Sequence, residues 1–175
     1  MNYKPHWIIV CVWSVLLSVS VLFLSVLKIN TFDNYGELTK RAMDTNFDKE
    51  FVKQLTSILG DVSGSVIHFE AEDCFCQTVA NDHVSSVKKL AINQNFKNHN
   101  LVVNNTDGLF LPSVPAVAVI NKLGALSYLG PYASGMFCAE GNGLVEPYLI
   151  KKNPEHSKLG ATIITDAKGC YCSVS

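Results

Sequence analysis

Two cysteine pairs of identical spacing carry the chemistry in this chain of 175 residues: Cys74-Phe75-Cys76 and Cys170-Tyr171-Cys172. A thiolate is both a nucleophile toward disulfides and a soft metal ligand, so such pairs point to redox or metal chemistry. A Cys74–Cys76 bridge has one intervening residue and closes a small, strained ring. Strain raises a reduction potential, so this bridge is expected to reduce more easily than an unstrained structural one. The competing reading is a pair of buried thiols or an inert bridge. For Cys170 and Cys172 three roles compete: a second redox pair relaying electrons to the first, ligands joining Cys74 and Cys76 around zinc or Cu(I), or a structural staple, with or without Cys138. Zinc sites favour two to four residues between cysteines, and Cys-x-Cys crowds a tetrahedron, which ranks relay or staple above metal. No metal ligand and no cofactor is therefore assigned. Cys138 leaves an odd count beyond the apolar N-terminus, which implies a free thiol, an intermolecular bridge or a buried core thiol.

The elements that must position these cysteines are legible in part. Ser65 to Phe69 is a β-branched and aromatic run, hence a strand ending just before Cys74. Thr78 to Phe96 has Val79, Val84, Val87, Leu90 and Ala91 at helical spacing. An earlier helix spans Asp48 to Leu59, with Gly60 to end it. Leu101 to Val103 is a short strand. Val114 to Ile120 and Ala125 to Leu129 form two strands joined by Asn121-Lys122-Leu123-Gly124, a hairpin-like connection. Gly143 to Lys152 reads as a short helix and Ala161 to Thr165 as a last strand. This order is an α/β pattern. His83 lies about two helical turns from Cys76, roughly 10 Å along the axis, too far to share a metal. His68 reads as core-edge or solvated, and His99 and His156 as surface residues. Asn104-Asn105-Thr106 fits a glycosylation acceptor that matters only in a eukaryotic secretory context.

Residues 7–27 contain no charge and are filled by Val, Leu, Ile, Phe and Ser. As a helix the run reaches roughly 31 Å, enough to cross bilayer hydrocarbon. No alanine precedes Ala42, so a cleavage site of the Ala-x-Ala kind is missing, and an uncleaved anchor is expected. Cys11 is a small apolar filler within it. The organisation expected is an anchor over residues 1–30, a linker or short helix over 31–47, and one domain over 48–175 with the Cys-x-Cys tail. Residues 31–175 hold 12 Lys+Arg and 15 Asp+Glu, a net of −3. With a whole-chain net of −1, no basic field points to nucleic acid. No phosphate loop, Ser/His/Asp set or paired-carboxylate site is present.

Val66-Ile67-His68-Phe69-Glu70-Ala71-Glu72-Asp73-Cys74 resembles the first core strand of a thioredoxin running into its redox site. Val114-Pro115, with the strand Ala116 to Ile120 and the Gly124 turn, resembles the cis-proline segment and its hairpin. The resemblance covers residues 48–150 and extends to a group of membrane-anchored thioredoxin-like proteins of gammaproteobacteria. It implies a central mixed sheet flanked by helices, with Cys74 just before a helix N-terminus. There the dipole favours a thiolate while Glu70, Glu72 and Asp73 oppose it. It implies a cis Pro115 lying against the redox pair and shaping partner docking. It also implies thiol–disulfide exchange with protein thiols or disulfides of the envelope. The chain would then be a single-pass inner-membrane protein with its domain in the periplasm. The chain departs from the family in having Cys-x-Cys for Cys-x-x-Cys, and in its cysteine-bearing tail.

Overall fold

The computed structural model describes residues 5–26, 29–103, 109–135, 143–150 and 160–174. Its first element, α1 (Pro5–Val26), is apolar on every side. The stretch His6–Phe23 has a mean hydropathy of 2.2, and none of it is buried against the rest of the molecule. A helix of this length and composition can span a membrane.

The remaining elements build a mixed α/β domain. In chain order they are β1 (Ile29–Thr31), α2 (Glu37–Ala42), α3 (Phe47–Leu59), β2 (Ser65–Glu70), α4 (Phe75–Asn93) and β3 (Lys97–Val102). There follow β4 (Ser113–Val114), β5 (Ala116–Ile120), β6 (Leu126–Gly130), α5 (Glu146–Leu149), β7 (Thr162–Ile163), β8 (Lys168–Cys170) and β9 (Cys172–Ser173). Five strands form the main sheet in the order β3-β2-β5-β6-β7. β2 and β3 are parallel and joined through α4, whereas β5 runs antiparallel to both β2 and β6.

Both faces of this sheet are covered. Ile67, Phe69, Ala116, Ala118 and Ile120 pack with Phe51 and Leu55 of α3. Val66, Val117, Val119 and Tyr128 pack with Ala80, Val84 and Val87 of α4 and Leu149 of α5. That double burial explains why β2 and β5 read as continuous apolar runs rather than alternating ones. It also corrects the expectation for His68, which is fully buried in β2. Alternation signals a solvated face only when a face is solvated. The segment expected as linker or short helix contains α2, and Phe32 and Leu38 within it are fully buried. β1, β8 and β9 have no counterpart in the sequence-based expectations. They form two small two-stranded pairings, β1 with β8 and β4 with β9.

Candidate functional site

The site is assembled where the C-terminal tail crosses the N-terminus of α4. Cys74 is the N-cap residue of α4, preceded by Asp73 at a φ of 60°. That left-handed conformation is uncommon outside glycine but tolerated by aspartate, and it turns the chain sharply from β2 into the helix. The carbonyl of Cys74 accepts the Gln77 N–H at 3.1 Å. Cys76 lies within the first helical turn, so both sulfurs project near the positive end of the helix dipole.

The structure overturns the expected Cys74–Cys76 bridge. Cys74 is bonded to Cys172 and Cys76 to Cys170, with Cα–Cα distances of 5.9 and 5.3 Å. The tail's strand geometry explains the crosswise pairing. Residues two apart in an extended chain project to the same side, so Cys170 and Cys172 both face α4 while Tyr171 turns away. Tyr171 is buried, donates a hydrogen bond to the Ala133 carbonyl at 2.8 Å, and meets Phe32 edge-on at 5.4 Å. Gly169 permits this approach: a Cβ there would stand 2.8 Å from the Gly135 carbonyl oxygen and from the Tyr171 ring. Cys138 and His156 lie outside the described residues, as does Asn104-Asn105-Thr106.

Pro115 follows a cis Val114–Pro115 peptide bond. It stands beside the bridges: the Cys74 sulfur is 3.9 Å from the Val114 carbonyl oxygen. Val114 is paired antiparallel with Cys172, and Ser113 with Ser173. The Val174 N–H extends this pairing to the Pro112 carbonyl at 3.2 Å. The tail thus lies as a strand on the segment leading into the cis proline. The strand just before it in the tail, β8, is held by β1, where Ile29 is opposite Cys170.

Burial grades the two bridges. Cys76 and Cys170 are 5% and 3% exposed and Cys74 is 8% exposed, whereas Cys172 is only partly buried. The Cys74–Cys172 bridge is the outer one. Next to it Phe75 is 65% exposed, above a shallow depression lined by Ala71, Asp73, Cys74, Gln77 and Thr78. Of the three acidic residues near Cys74, Glu70 is paired with Lys88 at 3.4 Å, while Glu72 and Asp73 are exposed.

A second polar cluster, not singled out by the sequence, lies in the core on the α4 and α5 face. His68 Nε2 donates to the Asn98 side-chain oxygen at 2.8 Å, and its Nδ1 accepts from the Tyr132 hydroxyl at 2.6 Å. Asn98 spends its amide nitrogen on the Lys88 carbonyl, which fixes its oxygen as acceptor and His68 as the neutral Nε2–H form. Burial pushes His68 down to about 4, against the opposing hydrogen bond from Asn98. Burial likewise raises the Tyr132 hydroxyl. His83 Nε2 meets Glu146 Oε1 at 2.6 Å. Burial pushes the Glu146 carboxyl up, but the hydrogen bond from His83 and backbone donors outweigh it and leave the group below its ordinary value. His83 therefore joins α4 to α5 through a part-buried side-chain hydrogen bond. His99 is half-buried rather than a surface residue.

The fold and site define an α/β domain behind an apolar N-terminal helix, with two disulfides joining paired Cys-x-Cys motifs. The chain belongs to the family described as Domain of unknown function (DUF6436), whose model matches residues 43–174. No curated protein and no solved structure matches it.

Proposed function

We propose that this is a membrane-anchored, periplasm-facing thioredoxin-like protein that carries out thiol–disulfide exchange. One observation carries the reading: the N-cap cysteine of α4 lies against the Val114–Pro115 cis step, and a cysteine-bearing strand is bonded to it there. The sheet order and the β2-α4-β3 crossover support the thioredoxin-like assignment. Two disulfides support an oxidising compartment, and with α1 as anchor that compartment is the periplasm.

In the reduced protein the Cys74 thiolate attacks a partner disulfide. A Cys74–partner bond forms, and the partner's second sulfur leaves as a thiolate. Cys172 then attacks Cys74, releasing the partner as a dithiol and restoring the Cys74–Cys172 bond, so this pair is oxidised by two electrons and the partner reduced by two. Pro115 holds the partner chain, and Cys76 and Cys170 form the inner, auxiliary pair. The partners are envelope proteins with accessible disulfides or thiols.

The test compares the reduced full chain in detergent micelles with its Cys74→Ser form, using a disulfide-bonded peptide as acceptor. Exchange that disappears in Cys74→Ser supports the proposal. Exchange equally slow in both chains, with only a loss of stability in the variant, leaves the bridges as structural staples. Thiols masked by a co-purifying metal would instead favour a zinc or Cu(I) thiolate module.

A further inference from the structure

We infer that the pocket between α2 and α3 is a headgroup site for a phospholipid bearing a primary ammonium, an ethanolamine-type lipid of the bilayer that holds α1. The inference goes beyond the exchange reading and rests only on α1 spanning a membrane. The pocket has a volume of about 440 Å³. Two cations, Lys40 and Arg41, line it together with three carboxylates, Glu37, Asp44 and Glu50. Among the described residues, no ion pair involves any of these five groups. Arg41 lies over the Phe110 ring, its guanidinium carbon 4.3 Å from the ring centroid. Stacking of this kind occupies a face of the guanidinium and leaves its N–H edge for an anion.

A ligand that satisfies both signs carries an anion and a cation a few bonds apart. Arg41 and Lys40 take its phosphate, and the carboxylates accept hydrogen bonds from its ammonium. A quaternary ammonium has no N–H to give them. A glycerol headgroup leaves three carboxylates facing an anion, and like charges held together are costly. The surroundings of the pocket point to a lipid as the carrier. Tyr35 is 76% exposed and Met43 78%, and in the chain they flank α2, whose two cations reach the pocket. Tyr35 follows Val26 by nine residues, so it lies within about 32 Å of the end of the membrane helix. Tyrosine favours the headgroup layer, where its ring and hydroxyl are both served. The exposed side chains stand on a fixed base. Asp33 accepts the Thr39 N–H and hydroxyl at 2.8 Å each, tying the turn that carries Tyr35 to α2. Buried Leu38 fastens α2 to the core. Tyr35 and Met43 thus rest in the bilayer surface, and the pocket beside them takes the headgroup.

The test has two arms, both on the full chain. In detergent micelles the chain is supplied with equal amounts of dioleoyl phosphatidylethanolamine and dioleoyl phosphatidylglycerol, and retained lipid is counted by native mass spectrometry. The expected result is about a tenfold excess of the ethanolamine lipid, the equivalent of one charge-assisted hydrogen bond. Glu37→Gln/Glu50→Gln should bring the ratio near one, and Lys40→Gln/Arg41→Gln should abolish retention of the ethanolamine lipid. No preference in the wild-type chain, or a preference that survives both variants, would overturn the inference. Displacement of the lipid by O-phosphoethanolamine at equal concentration would overturn it in favour of a soluble ligand. In the second arm the wild-type chain is placed in nanodiscs containing a lipid with a nitroxide on its headgroup. The Met43 methyl signal should broaden, while the methyl signals of Leu123, 91% exposed in the turn at the other end of the sheet, should not. A sharp Met43 signal would overturn the inference alone. A chain that does not enter nanodiscs would overturn the anchor reading with it.

Discussion

At the scale of single residues, the two bridges constrain the chain unequally according to which is already closed. They span 98 and 94 residues, so either one alone closes a loop worth about 4.7 kcal/mol in the chain-entropy treatment. With one in place, the other closes a ring of only about six residues, worth about 2 kcal/mol on the same treatment. Urea unfolding should therefore show about 2 kcal/mol lost in Cys74→Ser/Cys172→Ser and about 7 kcal/mol when all four are replaced. Equal, additive losses would contradict this nesting. Accessibility predicts the order of opening: limited reductant followed by alkylation should label Cys74 and Cys172 before Cys76 and Cys170. His68 sets an acid limit. Its folded value near 4 lies below the ordinary 6.5, so the unfolded chain binds the proton first. Stability is full above about pH 6.5 and falls as pH drops toward 4, by up to about 3 kcal/mol from this group. Glu146 acts in the same direction, losing its contribution as pH falls through its lowered value. A pH series of unfolding midpoints should show this slope, and His68→Gln should flatten it.

At the scale of elements, the tail is positioned by pairings that no hydrophobic period announces. β1, β4, β8 and β9 are two or three residues long, and their partners are distant in sequence. Longer runs were readable: the spans expected at 48–59, 65–69 and 125–129 correspond to α3, β2 and β6 within a residue or so. α4 begins three residues earlier than its apolar spacing indicates, because Cys74 takes the cap position and Phe75 and Cys76 fall inside the helix. The cysteine types and spacing marked where the sulfurs would gather, but their connectivity depended on which strand the tail joins. A bridge within a motif is a local guess; the tertiary pairing overrode it. The His68 cluster escaped notice for a similar reason, since Tyr132 and Asn98 approach His68 only through the folded sheet. Gly169 offers a test of the tail's seating. Gly169→Ala forces a methyl group against the Gly135 carbonyl and Tyr171, and should cost about 1–3 kcal/mol. Reduction of the Cys76–Cys170 bridge should also accelerate, as read by timed alkylation. An unchanged rate would show that the tail is not held at that point.

At the scale of the whole molecule, the bridges are tied to the N-terminal helix by a short tether. Val26 ends α1, and Ile29, three residues on, stands opposite Cys170 in the β1–β8 pair. Three Cα steps span at most about 11 Å, so with α1 in a bilayer the two bridges are held close to the membrane surface. The full chain should remain with membranes through alkaline carbonate extraction, and a chain lacking residues 5–26 should not. Release of the full chain would contradict the anchor. A cut at residue 31 would remove all of β1 and loosen β8, so the membrane helix and the site are best studied in one chain. The central claim is that these bridges are working disulfides, and equilibration of the full chain in graded thiol–disulfide buffers, with alkylation and mass counting, tests it most directly. The account predicts a reversible gain of two thiols at Cys74 and Cys172 and then two at Cys76 and Cys170, within about −120 to −230 mV. Four sulfurs that stay unalkylated until the buffer is poised below about −300 mV would contradict it and leave two structural staples.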